Sequence, residues 1–194
     1  MIFNGEMVRA ILDGRKTQTR RVMKVDHEHG MKNPVVRGRN GEVSYVGCRL
    51  AATLCPYGEV GDRLWVRETF AALEPGSYEQ VKPRQGYCQD LRYAATDCLA
   101  KSDANIRGYK WVPSIHMPRW ASRILLEITD VRVERLKHIP RDGIIAEGYP
   151  AERATDGGEY DPFLWYRDLW ESIYGAGSWQ ANPWIWVIEF KQIK

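Results

Sequence analysis

A glycine at position 14 separates a short helical pattern from a polar, strand-like segment, and this corner constrains how the chain begins to fold. Asn4 is a good helix N-cap, and apolar residues then recur at three- and four-residue spacing as far as Asp13. Glycine readily adopts the left-handed backbone that ends many helices. The polar residues from Arg15 to Arg21 then alternate as in a strand. The sequence therefore predicts a tight helix-to-strand corner.

The corner concentrates cations and hydroxyl groups. Four cations and two threonines occur within seven residues, namely Arg15, Lys16, Thr17, Thr19, Arg20 and Arg21. In a strand, Thr17, Thr19 and Arg21 would share one face, with Lys16 at the corner itself. A solvated basic turn is one interpretation. Small hydroxyls between long cations also suit an oxyanion or a phosphate, which makes Arg15, Thr17 and Arg21 candidate binding residues.

Charge and composition limit the class of protein. A chain of 194 residues that is 44% hydrophobic can bury a substantial core, and its length favours one domain. The formal net charge of +3 permits contact with nucleic acid through a local patch but does not indicate a large DNA-coating surface. No apolar run approaches 18 residues and no signal-like apolar segment follows Met1, so we expect a cytoplasmic protein without a membrane partner.

Cysteine spacing gives little support for a metal site. The four cysteines form no C-x-x-C pair, and we expect them to be free thiols. A zinc site that combines some of them with His116 is the alternative, although no spacing recommends it. The sequence therefore indicates no metal, no cofactor and no obligate protein partner.

Residues 63–70 are strand-like after the turn signal Gly61-Asp62. Arg67 would lie on one face of this strand as a candidate binding residue. The Glu68 carboxylate, if it faces a cleft, could orient Lys16 or bind an exocyclic amine. The alternative for Glu68 is a surface salt bridge.

The stretch 71–110 is loop-rich and mixes cations with tyrosines, as surfaces that bind single-stranded nucleic acid do. Ordinary protein surfaces carry such mixtures as well. The next segment contains two prolines, which favour an extended chain presenting four candidate binding residues, namely Trp111, His116, Arg119 and Trp120. His116 could also serve as an acid or base, or simply form hydrogen bonds in a loop.

Four regular elements complete the pattern. Residues 123–133 predict a strand that is bent or bulged at Thr129-Asp130, and residues 184–190 predict a buried closing strand. Residues 142–148 predict a short helix capped by Asp142, with Glu147 near its C-terminus. A carboxylate at that end opposes the helix dipole and needs a cation such as Lys16 or Arg21. Residues 159–174 predict a second helix with an apolar stripe.

The corner resembles the signature of the ASCH family, a branch of the PUA-like fold. Members of that family carry G-x-K-T-x-T-x-R after their first helix, here Gly14, Lys16, Thr17, Thr19 and Arg21. Residues 56–70 are similar to the family's second strand. Residues 111–190 resemble small phage and prophage members in the W-x-P-x-I-x-M-P-R-W-x-S-R segment, the A-E-G helix end and the W-V-I-E-F ending.

The resemblance implies one α+β domain over residues 1–194, a small PUA-like β-barrel with helices covering a cleft. Insertions at about 22–55 and 71–110 would extend it. Family members act in RNA metabolism, and some small bacterial ones hydrolyse the acetamide of N4-acetylated cytidine. In those enzymes, the catalytic residues are the lysine, the second threonine and a helix glutamate. They correspond here to Lys16, Thr19 and Glu147.

Three functions therefore stay open. The first is an amidohydrolase acting on a modified pyrimidine such as N4-acetylcytidine. The second is a non-catalytic RNA reader, in which the same cations hold a phosphate and aromatic rings stack a base. The third is a metal-dependent ribonuclease, a class also found in the family at large, although no dense carboxylate cluster occurs in the sequence.

Overall fold

The computed structural model describes residues 1–23, 33–37, 41 and 43–193, and these residues form an α+β protein with a curled antiparallel half-barrel sheet. The α-helices among them are α1 (Gly5–Leu12), α2 (Cys48–Ala52), α3 (Ala104–Arg107), α4 (Arg141–Ala146), α5 (Ala151–Asp156) and α6 (Asp161–Tyr174). The strands are β1 (Gln18–Val22), β2 (Val35–Arg37), β3 (Val43–Tyr45), β4 (Arg63–Trp65), β5 (Phe70–Leu73), β6 (Asp90–Tyr93), β7 (Leu125–Arg135) and β8 (Trp184–Ile193).

The chain forms two compact units, each assembled from separate stretches of sequence. The first unit comprises Met1–Asp13, Leu64–Leu126 and Gln192–Lys194. The second comprises Gly14–Arg63 and Glu127–Lys191. The second unit includes the predicted insertion at 22–55, of which residues 24–32, 38–40 and 42 lie outside the described residues.

The predicted start of the chain is confirmed. The Asn4 side chain caps α1 by accepting a hydrogen bond of 2.8 Å from the backbone N–H of Met7. Gly14 follows the helix with a φ of 73°, in the left-handed region where glycine avoids the clash of a Cβ atom. The chain then enters β1.

The half-barrel sheet has the strand order β1-β8-β7-β4. β1 pairs antiparallel with β8, so that Thr19 lies opposite Ile188 and Arg20 lies opposite Val187. The closing strand predicted from its apolar run is confirmed, because residues 184–188 of β8 are all buried. The strand predicted at residues 123–133 is confirmed as β7, which runs continuously through Thr129 and Asp130.

The core of the second unit packs α6 against the sheet and α4. Its buried apolar members are Leu136, Ile139, Ile144, Tyr166, Trp170, Ile185 and Val187. The predicted second helix is confirmed as α6, which ends at Gly175 with a φ of 93°. In α4 the N-cap is Pro140, whereas Asp142 lies within the first turn and does not cap the helix. Ile144 is buried as predicted, but Ile145 is 44% exposed.

The first unit differs most from the sequence prediction. Residues 63–70 do not form one strand, since β4 ends at Trp65 and β5 begins at Phe70. The loop-rich stretch 71–110 pairs β5 with β6 and contains a buried arginine. Arg107 donates hydrogen bonds to the carbonyls of Leu99, Ala100, Ser102 and Tyr109. The Arg107 guanidinium therefore holds residues 99–109 together. It is not part of the exposed group of cations and tyrosines that the sequence suggests for this stretch.

The prolines of residues 111–120 also act differently from the prediction. Pro113 and Pro118 each precede a short 3-10 helix, Ser114–His116 and Arg119–Ala121, instead of holding the chain extended. Among the described residues, every helix is too short or too polar to span a bilayer.

Candidate functional site

The helix-to-strand corner is fastened to the C-terminal end of α4 within the second unit. The last carbonyl groups of a helix have no partners inside it and need donors from elsewhere. Here the N–H of Thr17 donates to the carbonyl of Ala146 at 2.8 Å. The guanidinium of Arg15 donates to the next carbonyls, those of Gly148 and Tyr149. The basic corner therefore supplies the donors that end α4.

Lys16 makes the central contact of this junction. Its ammonium donates to the Glu147 carboxylate with Nζ and Oε2 at 2.5 Å, and to the Glu147 backbone carbonyl at 2.9 Å. The Lys16 side chain is fully buried and the Glu147 side chain is 4% exposed. The predicted need of Glu147 for a cation is thus met by Lys16, from a distance of 131 residues along the chain.

Arg20 is the second cation on Glu147, and the sequence interpretation missed it by naming Arg21. Nη1 of Arg20 lies 3.2 Å from Oε1 of Glu147 and also donates to the carbonyl of Gly143 at 3.2 Å. The Arg20 side chain is fully buried. The sequence does not distinguish Arg20 from Arg21 as this partner, because Lys16 lies before β1 and the register of the strand decides which arginine faces α4.

Gly143 leaves the space that the Arg20 guanidinium occupies. A Cβ atom added at Gly143 would lie 2.7 Å from Nη2 of Arg20, closer than real contacts allow. Gly143 is buried on α4, one turn before Glu147. The glycine therefore allows the guanidinium to lie directly on the helix backbone.

Burial controls the electrostatics of Lys16. Removal from water lowers the pKa of the Lys16 amine below its ordinary value of 10.5, because the charged form loses its hydration. The Glu147 carboxylate opposes this and raises the pKa, while the positive charges of Arg21 and Arg20 lower it. The net result is an amine that releases its proton more readily than an exposed lysine does.

The other predicted corner residues differ in their burial. Thr19 is buried in β1, three residues after Lys16, and Arg21 is half-buried. Thr17 is exposed, and its carbonyl accepts a hydrogen bond from the N–H of Phe190 in β8 at 2.8 Å. Because adjacent strand residues point to opposite faces, Thr19 and Arg20 project from opposite sides of β1.

Glu68 lies in the first unit and forms a partly buried ion pair. Both of its carboxylate oxygens accept hydrogen bonds of 2.9 Å from Nε and Nη2 of Arg123. The salt bridge considered from sequence therefore forms, between a Glu68 that is 2% exposed and an Arg123 side chain that is 28% exposed. Arg123 also stacks over the ring of Tyr93 at 4.1 Å. Arg123, the last residue of the proline-rich motif, was not recognised as this partner from sequence.

Arg67 and Arg119 of the first unit meet at Trp65. Their guanidinium carbons lie 4.4 Å and 5.8 Å from the centre of the Trp65 ring. Arg119 is exposed, whereas Arg67 and Trp65 are half-buried. These residues present a flat ring and two cations. Strand alternation places Trp65 on the same face as Arg67, but Trp65 is not among the candidate binding residues predicted from the sequence.

The remaining candidates of the first unit are separate from that stack. Trp111 packs edge-on against Tyr109, with ring centres 5.2 Å apart, and therefore belongs to a packed cluster. Trp120 packs against Phe70 and Met117. His116 is exposed at the end of its 3-10 helix. The described residues contain no group of three or more His, Cys, Asp or Glu side chains arranged to hold a metal ion.

Comparison of the chain with protein-family models, curated proteins and solved structures finds no match. The resemblance to the ASCH family therefore depends on the motif residues themselves. The geometry adds a buried Lys16–Glu147–Arg20 cluster, hereafter the Glu147 cluster.

Lys16→Met tests whether burial lowers the pKa of this amine. Unfolded Lys16 keeps its proton up to pH 10.5, whereas the folded protein releases it at lower pH. In that window the unfolded state binds more protons, so raising the pH favours the folded wild type. We expect the free energy of unfolding of wild type, minus that of Lys16→Met, to increase as the pH rises from neutral toward 10.5.

Denaturant titrations at several pH values measure this difference. The matched control is Lys101→Met, which removes an exposed lysine that lies outside this junction. A difference that is flat or decreasing for Lys16→Met would contradict a lowered pKa.

Proposed function

We propose that this protein is an ASCH-type amidohydrolase that removes an acyl group from the exocyclic amine of a modified pyrimidine such as N4-acetylcytidine. In this proposal the half-barrel sheet is part of a PUA-like barrel. Its main support is the buried Lys16–Glu147 contact, with Nζ and Oε2 at 2.5 Å, together with the match of Lys16, Thr19 and Arg21 to the family motif.

Lys16 would act as the base that activates Thr19. A threonine hydroxyl is a weak nucleophile and needs a neighbouring group to take its proton. An exposed lysine is protonated at neutral pH and cannot take that proton, but burial lowers the pKa of the Lys16 amine. The desolvated position of Lys16 therefore suits this role better than that of a surface lysine.

The reaction would proceed through an acyl-threonine. Lys16 takes the hydroxyl proton, and the Thr19 oxygen forms a bond to the amide carbon. The resulting oxyanion is stabilised by Arg21 or a backbone N–H, an effect worth ~3 kcal/mol per donor. The carbon–nitrogen bond then breaks, and the leaving amine receives the proton from Lys16, which Glu147 orients. Water hydrolyses the ester and releases the carboxylic acid.

Incubation of the protein with N4-acetylcytidine tests this reaction directly. We expect release of cytidine and acetate in equal amounts, measured by chromatography. Thr19→Val keeps the shape of the side chain but removes the nucleophile, so activity should fall by at least about a hundredfold. Thr19→Ser should retain measurable activity because it keeps the hydroxyl group. Thr129→Val, an exposed threonine on β7, is the matched control and should leave the rate unchanged.

Three results would contradict the proposal. The first is no release of acetate from N4-acetylcytidine or from an RNA that contains it. The second is a Thr19→Val variant as active as Thr129→Val. The third is cleavage of RNA that a chelator abolishes, which would indicate the metal-dependent nuclease instead.

A second candidate function is a non-catalytic reader of single-stranded RNA, and the stack of Arg67 and Arg119 on Trp65 favours it. Guanidinium groups contact phosphates, and an aromatic ring stacks on any base. Arg67 lies 4.4 Å from the Trp65 ring in the first unit.

Trp65→Ala tests the reader function by binding measurements. We expect this substitution to weaken the binding of a fluorescent single-stranded RNA by ~10-fold, because stacking of one base on an aromatic ring contributes about 1–3 kcal/mol to the binding free energy. Arg119→Ala should weaken binding and reduce its dependence on salt. Tyr160→Ala removes an exposed aromatic ring at the N-cap of α6 and serves as the control. Affinity that is unchanged in Trp65→Ala would reject this surface.

A further inference from the structure

Two cations contact one carboxylate in the Glu147 cluster, and the proposed reaction uses only one of them. The ammonium of Lys16 binds Oε2 of Glu147, and Nη1 of Arg20 lies 3.2 Å from Oε1. Both cationic side chains are fully buried. A single buried carboxylate paired with a single lysine would already be neutral, so Arg20 requires a separate explanation.

The charge balance among Lys16, Arg20 and Glu147 explains why Arg20 is present. With Lys16 protonated, the two cations and one carboxylate carry a net charge of +1. When Lys16 is neutral, Arg20 and Glu147 balance each other, because an arginine does not lose its proton in proteins. A buried net charge is strongly disfavoured. The cluster is therefore electrostatically balanced in the state in which Lys16 has given up its proton.

We propose that Arg20 is the permanent counter-ion of Glu147, a positioning residue that lets Lys16 release its proton without leaving the buried carboxylate unpaired. This inference rests on the proposed function, in which neutral Lys16 is the base. Arg20 touches neither the substrate nor Thr19 in this account. It acts through Glu147.

The packing around Arg20 supports a fixed position. Its Nη1 is bound by both the Glu147 carboxylate and the Gly143 carbonyl. Its Nη2 lies where any side chain at position 143 would collide with it. The Nε and Nη2 atoms of Arg20 are also buried and have no hydrogen-bond partner among the described residues. Hydrogen bonds from these two atoms therefore do not explain why the Arg20 guanidinium is buried.

Other charged or titratable groups interact electrostatically with the cluster from two elements. Arg21 of β1 is a further cation whose charge acts on Lys16. Tyr166 of α6 is fully buried, and burial together with the Glu147 charge raises the pKa of its phenol well above 10, so it stays neutral. Among the described residues, Glu147 is therefore the acidic group whose charge acts on Lys16, and removal of Arg20 leaves the charge of Arg21.

The test compares Arg20→Met with Arg20→Lys by the pH dependence of kcat/KM for N4-acetylcytidine. Without the Arg20 charge, Lys16 must keep its proton to balance Glu147. We expect the acidic limb of the Arg20→Met profile to move to higher pH, with activity below the limb falling about tenfold for each pH unit moved. Arg20→Lys keeps a positive charge and should restore the limb toward its wild-type position. Arg141→Met, an exposed arginine of α4, should leave the profile unchanged.

A second readout does not depend on activity. NMR of protein labelled with ¹³C at the lysine ε-carbon follows the protonation of Lys16, whose signal is identified by its loss in Lys16→Met. We expect Lys16 to titrate at higher pH in Arg20→Met than in wild type. If no substrate is hydrolysed but the Lys16 titration moves as expected, the proposed function fails while the role of Arg20 stands.

Gly143→Ala keeps the inference testable if Arg20→Met does not fold. The added methyl group displaces the guanidinium while the charge remains in the chain. We expect a shift of the Lys16 titration in the same direction as for Arg20→Met, but a smaller one. A Lys16 titration that is the same in wild type, Gly143→Ala and each folded Arg20 variant would overturn the proposal.

Discussion

The ion pair between Lys16 and Glu147 is the contact on which the rest of the second unit depends. It joins a residue near the start of the chain to a helix end 131 residues later, with both side chains withdrawn from water. Such a pair offsets its loss of hydration only when the geometry is close and further hydrogen bonds complete it. Here the Glu147 carbonyl and the Arg20 guanidinium provide those bonds.

Each nearby element contributes to that geometry. Gly14 turns the chain with a left-handed backbone, so that Lys16 reaches the end of α4 before β1 begins. The N–H of Thr17 binds Ala146, while the pairing of β1 with β8 fixes Arg20 in register with Val187. Gly143 leaves the helix surface bare where the guanidinium lies. The corner and the helix end therefore complete each other's hydrogen bonds.

Sequence reasoning predicted the local elements well and the distant partners only in part. The N-cap at Asn4, the glycine turn and the apolar strand β8 follow from local chemistry and are confirmed. The helix dipole correctly required a cation at Glu147, but the choice between Arg20 and Arg21 depends on strand register, which the sequence does not specify. Likewise, the ion pair of Glu68 with Arg123 links residues 55 positions apart, with no periodicity to reveal it.

A double-mutant cycle on Lys16→Met and Glu147→Gln measures the central contact most directly. Stability is determined for wild type, both single variants and the double variant at neutral pH. Partners that interact directly in a buried site show non-additive losses, and we predict a coupling free energy of about 2 kcal/mol. Additive losses, with a coupling free energy near zero, would contradict the account, because the amine and the carboxylate would then not depend on each other.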